Sequence, residues 1–315
     1  MKKVILLLMT LAILFSIATC KQNKSSVTRN LGGRIDVTVT NFPPYDFVRQ
    51  IAGDRVNLTM LLPPGSESHS FEPSPRDIII IQNSDIFIYT GGESDDWIER
   101  ILESMNTDNM KILAMIDTVD AVEEEVVEGM EEDDDEGEEV AYDEHVWTSP
   151  GNVILIVEAI TALLCEADSA NAGFYRQNAA TFTEELVLLD ASFAEVVSGA
   201  KRNTIVFADR FPFRYFADAY GLSYFAAFPG CSTETEPSAA TVAFLIDKVR
   251  ADKIPVVFHI ELSNERMANT ISGETGAKKL LLHSCHNITK RDFDSGRNYL
   301  EIMQGNVANL REALY

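Results

Sequence analysis

Along the first part of the chain, apolar positions recur every second residue in short runs and every third or fourth residue in longer ones. Residues 35–40 (Ile-Asp-Val-Thr-Val-Thr) alternate as a strand does, and Asn41 with Pro43-Pro44 then opens a helix that carries Phe47, Val48 and Ile51 and stops at Gly53. A second strand over residues 56–62 ends in Pro63-Pro64-Gly65. Ser74-Pro75-Arg76-Asp77 supplies an N-cap, a proline at the first helical position and an acid at N3, so it launches a helix through Gln82. A strand at 85–89, a helix at 95–105 around Trp97 and a strand at 111–116 complete this part. Alternating strands and helices predict a parallel sheet covered by helices.

A helix is expected at 152–166, and a longer pattern follows it. Phe174, Asn178, Phe182, Leu186, Leu189, Phe193 and Val197 recur at steps of three or four until Gly199. A helix from about 170 to 198 would be about 40 Å long, and with neither Gly nor Pro between Phe174 and Ser198 it should be stiff. The second half repeats the alternation, with strands at 204–207, 223–228, 255–260 and 279–283 and helices at 215–220, 239–251, 265–272 and 299–314. The expected fold class is therefore α/β: two lobes with parallel-rich sheets flanked by helices, joined by one long rigid helix, with a cleft between them. The expected boundaries are 33–168 for the first lobe, including an acidic loop at 121–142, 169–200 for the connecting helix and 201–315 for the second lobe.

Before residue 33 the pattern differs. Lys2 and Lys3 precede an apolar run over 4–18 that is short for a membrane span, and residues 1–20 read as an export signal. Ile17-Ala18-Thr19-Cys20 resembles a bacterial lipobox, which makes Cys20 the expected lipidation point and 21–32 a tether. The protein is then expected outside the cytoplasm, anchored to the cell membrane by lipid. An oxidising compartment permits a disulfide. Cys165 lies on a helical pattern, whereas Cys231 and Cys285 fall in loop-like stretches after strands, so these two are expected to pair.

The formal net charge of −23 is concentrated: residues 123–144 hold 14 of the 49 acidic residues and no Lys or Arg. This acidity excludes nucleic acid as a partner, which requires a cationic surface. The stretch 123–139 has no apolar periodicity and should form a solvated, mobile loop, serving solubility or weak gathering of metal ions.

The candidate chemistry sits in five histidines. His69 follows a strand, where the carboxyl edge of a parallel sheet presents side chains, and His145 follows the acidic run just before a helix. His259 lies inside an apolar strand and reads as structural. Phe42-Pro43-Pro44-Tyr45-Asp46-Phe47-Val48, Ile51-Ala52-Gly53, the segment from Pro64-Gly65 to Pro73, Ser84-Asp85, Gly91-Gly92, Asp143-Glu144-His145-Val146-Trp147, the long helix and Tyr220-Gly221-Leu222 occur in that order. Together they make the chain resemble the cluster A-I substrate-binding proteins of zinc and manganese ABC importers over nearly its whole mature length.

The resemblance implies that His69 and His145 are metal ligands and that the partners are an importer permease and its ATPase. It also implies a monomer with no enzymatic activity. The second lobe departs from the family pattern. Arg210, in Phe207-Ala208-Asp209-Arg210-Phe211-Pro212-Phe213-Arg214-Tyr215, stands where the family offers a His or Glu, and a guanidinium cannot bind a cation. Where the family has an Asp after its late strand, this chain reads Leu282-His283-Ser284-Cys285-His286. His283 or His286 is thus expected to supply the missing imidazole, with Asp209 or Glu261 as a carboxylate ligand or a support for one. Three imidazoles with at most one carboxylate suit Zn²⁺, and two with two carboxylates would favour Mn²⁺. The rival readings are an extracellular zinc hydrolase, for which no HExxH helix or Gly-rich phosphate loop is present, and a surface adhesin that uses the acidic stretch for cell adhesion.

Overall fold

Val37, Val39, Ile86, Phe87 and Ile88 are all fully buried, as expected of strands covered by helices on both faces. They belong to β1 (Asp36–Val39) and β3 (Ile86–Tyr89), the central pair of a parallel sheet ordered β2-β1-β3-β4 with β2 (Asn57–Met60) and β4 (Lys111–Ala114). A computed structural model of the chain describes residues 33–67, 71–130, 141–232 and 236–315, and residues 34–315 form one unit. His69, Cys20 and the 1–32 segment lie outside the described residues.

The helices of the first half are α1 (Phe42–Ala52), α2 (Pro75–Gln82) and α3 (Asp96–Ser104). The capping box read at α2 is present: Asp77 N donates to Ser74 Oγ, and Ser74 N donates back to Asp77 Oδ2 at 2.8 Å. Next comes α4 (Pro150–Ala167), which begins two residues earlier than expected because Pro150 itself occupies the first helical position.

The long helix α5 (Ala172–Ser198) buries Phe182, Leu186, Leu189 and Phe193, as their spacing predicts. At its ends the buried positions are Tyr175 and Val196, where Phe174 and Val197 were expected. Asn178 turns its amide to the Ile51 carbonyl at 3.0 Å, and so ties this helix to the end of α1.

The second half contains β5 (Thr204–Val206), β6 (Arg210–Phe211), α6 (Arg214–Tyr220), β7 (Ser223–Phe225), β8 (Phe228–Pro229) and α7 (Ala239–Ala251). It continues with β9 (Val256–His259), α8 (Arg266–Thr275), β10 (Lys278–Leu281), α9 (Lys290–Asp294) and α10 (Tyr299–Leu314). β5 pairs with β7 and β9 with β10, all parallel, and a parallel bridge between Phe207 and Phe258 joins the two pairs. The resulting order β7-β5-β9-β10 repeats that of the first half. The expected strand 223–228 is split, because β8 leaves β7 to pair with β6.

One core cluster runs through both halves, from Val37 and Phe47 through Trp147, Tyr175 and Phe193 to Phe207 and Tyr299. Polar ties cross the same boundary. Tyr299 N donates to the buried carboxylate of Asp46 at 2.8 Å, Tyr299 OH donates to the Trp147 carbonyl at 2.8 Å, and the Trp147 indole donates to the Ser284 carbonyl at 2.8 Å.

Two expectations need correction. The start of the acidic stretch is docked: Glu123 pairs antiparallel with Tyr142, Arg214 holds Glu125 at 3.1 Å, and Cys231 N donates to Glu124 at 2.8 Å. Arg214 and the Cys231 N–H thus tie down two acids of a stretch that was expected to be mobile, while Glu123, Glu125 and Glu128 stay exposed as expected and residues 131–140 lie outside the described residues. Secondly, Cys231 and Cys285 are free thiols. Cys285 is fully buried near Glu261 and Asp46, whereas Cys231 lies among Glu144, Asp143 and Glu124, and burial pushes both thiols well above their ordinary pKa. Reductant is therefore expected to leave the melting temperature of the protein lacking residues 1–20 unchanged. A drop of several degrees, as loss of a disulfide worth about 2–4 kcal/mol would give, would restore the bond.

Candidate metal centre

The site is assembled from segments that leave the carboxyl ends of strands in both halves. After β3 the chain turns through Gly91 (φ +82°) and Gly92 (φ +100°), held by Asp95, which accepts from Thr90 N at 2.9 Å and Gly91 N at 3.1 Å. A Cβ at Gly92 would lie 3.0 Å from the Cβ of Glu144, so the glycine makes room for that side chain. Ser94 Oγ donates to Glu144 Oε1 at 2.9 Å and orients the carboxylate.

Residues 143–148 supply the second wall. Asp143 Oδ1 accepts from His145 N at 2.7 Å and lies 3.1 Å from His145 Nδ1. A carboxylate there selects the tautomer with the proton on Nδ1 and leaves Nε2 as the lone-pair nitrogen, the usual preparation of an imidazole for a metal. Gly230, after β8, closes against this pair: a Cβ on it would meet Phe211 O at 2.9 Å, Asp143 Oδ2 at 3.1 Å and His145 Nδ1 at 3.3 Å.

The third wall is the segment after β10. Glu261, just past β9, accepts from Ser284 N at 2.7 Å, Ser284 Oγ at 2.6 Å and His286 N at 3.0 Å. That grip, with the Trp147 indole on the Ser284 carbonyl, presents the His286 ring edge-on to Trp147 (centroids 5.0 Å) and to His145 (5.1 Å). Glu144, His145 and His286 each place one ligand atom within 4.8 Å of the other two, and all three are buried. A tetrahedral ion with bonds of about 2 Å sets its ligand atoms roughly 3.4 Å apart, so a small contraction would complete a shell.

The electrostatics are those of an acidic pocket out of water. Burial pushes Glu144 up to about 7, with His145 and the Ser94 hydrogen bond opposing the shift and Asp95 and Asp143 adding to it. Burial alone would lower His145, but the Asp143 charge and hydrogen bond and the Glu144 charge outweigh it and hold the imidazole above its ordinary value.

Of the residues singled out in the sequence, the structure brings His145 and His286 together. His283 stands apart from them: its Nδ1 accepts the Cys285 N–H at 3.0 Å, while Asn306 brackets its backbone, so the ring shapes the turn that delivers His286. Asp209 accepts from Arg210 N at 3.0 Å and Ile260 N at 3.5 Å and braces the ends of β5 and β9. Glu261 holds backbone and hydroxyl, as a support does. His259 lies outside the cluster of Glu144, His145 and His286, with Nδ1 3.0 Å from the Ile260 carbonyl. Glu144 and Gly230 were not singled out. The only signal for Glu144 was adjacency to His145, hidden in a run of acids.

Residues 37–313 match the model of the family described as zinc-uptake complex component A, periplasmic, which covers most of the chain. The chain belongs to the ZnuA family. It is 33% identical over 313 residues to the zinc-binding lipoprotein AdcA of Streptococcus pneumoniae, covering 99% of this chain and 61% of that protein. With the high-affinity zinc uptake system protein ZnuA of Bacillus subtilis it shares 29% identity over 289 residues, covering 90% of this chain and 88% of that one. The Zn(II)-bound ZnuA-like domain of S. pneumoniae AdcA superposes with a TM-score of 0.74 at 32% identity, over 90% of this chain and 99% of that domain. The ZnuA fold thus accounts for the bilobed α/β architecture and the long helix.

Gly230 offers a test of the packing around His145. Gly230→Ala is expected to weaken zinc binding by about tenfold or more, since support residues of this kind typically contribute 10- to 100-fold. The empty protein should still melt cooperatively within a few degrees of the parent; calorimetric titration and a thermal melt measure the two effects.

Proposed function

We propose that the protein captures a Zn²⁺ ion outside the cytoplasmic membrane and delivers it to the permease of an ABC importer, whose ATPase drives uptake. The observation that carries this reading is the buried convergence of Glu144, His145 and His286, with Asp143 and Glu261 positioning the two imidazoles. Imidazole nitrogens with a single carboxylate suit zinc better than manganese, which favours more oxygen donors. The zinc-binding and zinc-uptake names of the AdcA and ZnuA relatives support the same ion.

His69 is the proposed fourth donor. Its described neighbours support this: Glu67 lines one cavity that reaches His145 and His286, and Phe71 lines another that reaches Glu144 and His286. The lipobox-like segment ending at Cys20, together with the lipoprotein name of AdcA, supports a lipid anchor at that residue.

The size of the site favours binding over catalysis. The two cavities that meet the cluster have volumes of about 30 Å³ and about 20 Å³, room for an ion and a water molecule. A hydrolase site would have to admit a peptide or ester and place a general base beside an open coordination position.

Calorimetric zinc titration of the protein lacking residues 1–20 tests the ligand set. His145→Ala, His286→Ala and Glu144→Gln should each weaken binding by about 100-fold or more, beyond the 10- to 100-fold typical of supporting residues. His283→Asn, whose amide oxygen can accept the Cys285 N–H, should stay within about threefold of the parent. Parental affinity in both histidine-to-alanine variants would reject the site.

The sign of the pH dependence follows from the empty state. Glu144 titrates near 7 and His145 above its ordinary value, so binding near neutral pH displaces protons from both. Affinity is expected to fall as pH drops below about 7, by up to about tenfold per pH unit for each proton displaced. Titrations in buffers of different ionisation enthalpy count those protons.

A further inference from the structure

The cavity of about 30 Å³ beside His145 and His286 has a cationic wall, which is unexpected in a site for a divalent cation. That wall is Arg210 on β6, a side chain only 10% exposed. Its guanidinium donates to both carboxylate oxygens of Glu67, at 3.4 Å to Oε1 and 3.2 Å to Oε2, and to the Ser232 carbonyl at 3.1 Å. Glu67 lines the same cavity as the two imidazoles and is 45% exposed. Its segment is fixed from a second direction by Asn287, whose amide donates to Pro63 O at 3.0 Å and Ser66 O at 2.7 Å.

We propose that Arg210 is a specificity-determining residue, which sets the preference for zinc over manganese by keeping the Glu67 carboxylate out of the coordination shell. The inference rests on the metal-capture reading above and deepens it. Glu67 lines the cavity with the two imidazoles, and the other carboxylate of that lining, Glu261, is already engaged by Ser284 and the His286 N–H, so Glu67 is the group there that could add oxygen donors. Such a shell suits Mn²⁺, whereas imidazole-rich tetrahedral shells suit Zn²⁺. Arg210 prevents the change of shell because its planar fork matches a carboxylate in two-point fashion.

Stability alone does not account for the pair. Asn287 already holds the backbone of the segment, and the buried Arg210 also has the Ser232 carbonyl, so what the pair fixes is the direction of the half-exposed Glu67 carboxylate. Lysine in place of Arg210 would present a single point charge and could not hold both oxygens of Glu67 in two-point fashion.

The test is calorimetric titration of Zn²⁺ and Mn²⁺ into the protein lacking residues 1–20, as the parent, Arg210→Met, Arg210→Lys and the double variant Arg210→Met/Glu67→Gln. Arg210→Met is expected to raise Mn²⁺ affinity by about tenfold or more beyond any change in Zn²⁺ affinity, so that the ratio between the two metals shifts toward manganese. Arg210→Lys should give a smaller gain of the same sign, and carries the test if the methionine variant does not fold. The manganese gain should vanish in the double variant. A parallel change for both metals, or a manganese gain that survives Glu67→Gln, would overturn the inference, since either result assigns the effect to charge or to loop position. Failure of the parent to bind either metal would instead reject the metal-capture reading itself.

Discussion

The indole N–H of Trp147, donated to the carbonyl of Ser284 across 137 residues of sequence, joins the two halves of the chain where their sheets present their carboxyl edges. The indole is fully buried, so an unpaired N–H there would be costly and the bond is obligatory. Its consequences spread outward. The Trp147 carbonyl accepts from Tyr299 OH, the Tyr299 N–H is held by Asp46 on α1, and Ser284 is gripped from its other side by Glu261. His145 and His286 pack edge-on against the same indole, so the ring that joins the halves also sets the distance between the imidazoles.

Around that joint the protein collects buried acids. Asp95, Asp143 and Glu144 lie within one small region with Glu261 close to His286, and burial lifts Asp95 to about 6 and Glu144 to about 7. Bringing like charges together away from water destabilises the empty protein, and protonation relieves part of the repulsion. A divalent cation relieves it more fully, so binding and stability are linked in the proposed site. A charge arrangement poor for stability alone is thus suited to holding a cation. The single arginine on the cavity wall is satisfied locally by Glu67 and Ser232.

The repeated strand order explains why the site lies where it does. In each half the second strand lies on one side of the first and the third on the other, which opens a crevice at the carboxyl ends between the first and third strands. Thr90 to Asp95 leave β3 at one crevice, and Glu261 leaves β9 at the other. The α5 helix packs against α1, α4 and α10 and so supports both halves from behind. With no Gly or Pro in its middle, it resists the bending that would part the crevices.

What the sequence determined alone was the local order of the chain: nearly every strand and helix, the capping box at Ser74, the long helix and the loop placement of His145 and His286. These follow from period, capping and turn chemistry, which act over a few residues. The tertiary structure decided the partners. Choosing His286 over His283 required knowing that the Cys285 N–H occupies His283 Nδ1, and two imidazoles three residues apart look equivalent until the turn between them is known. Glu144 was one acid in a long acidic run until burial distinguished it, and Gly230 mattered only once Asp143 and His145 lay against it. The expected disulfide failed for the same reason: loop position does not reveal which groups surround a thiol, and Cys231 and Cys285 have different neighbours. Periodicity reports what a residue does to its neighbours along the chain, whereas coordination, charge and close contact depend on how the fold turns and joins segments, from the tight turn at His283 and Cys285 to the meeting of His145 with His286.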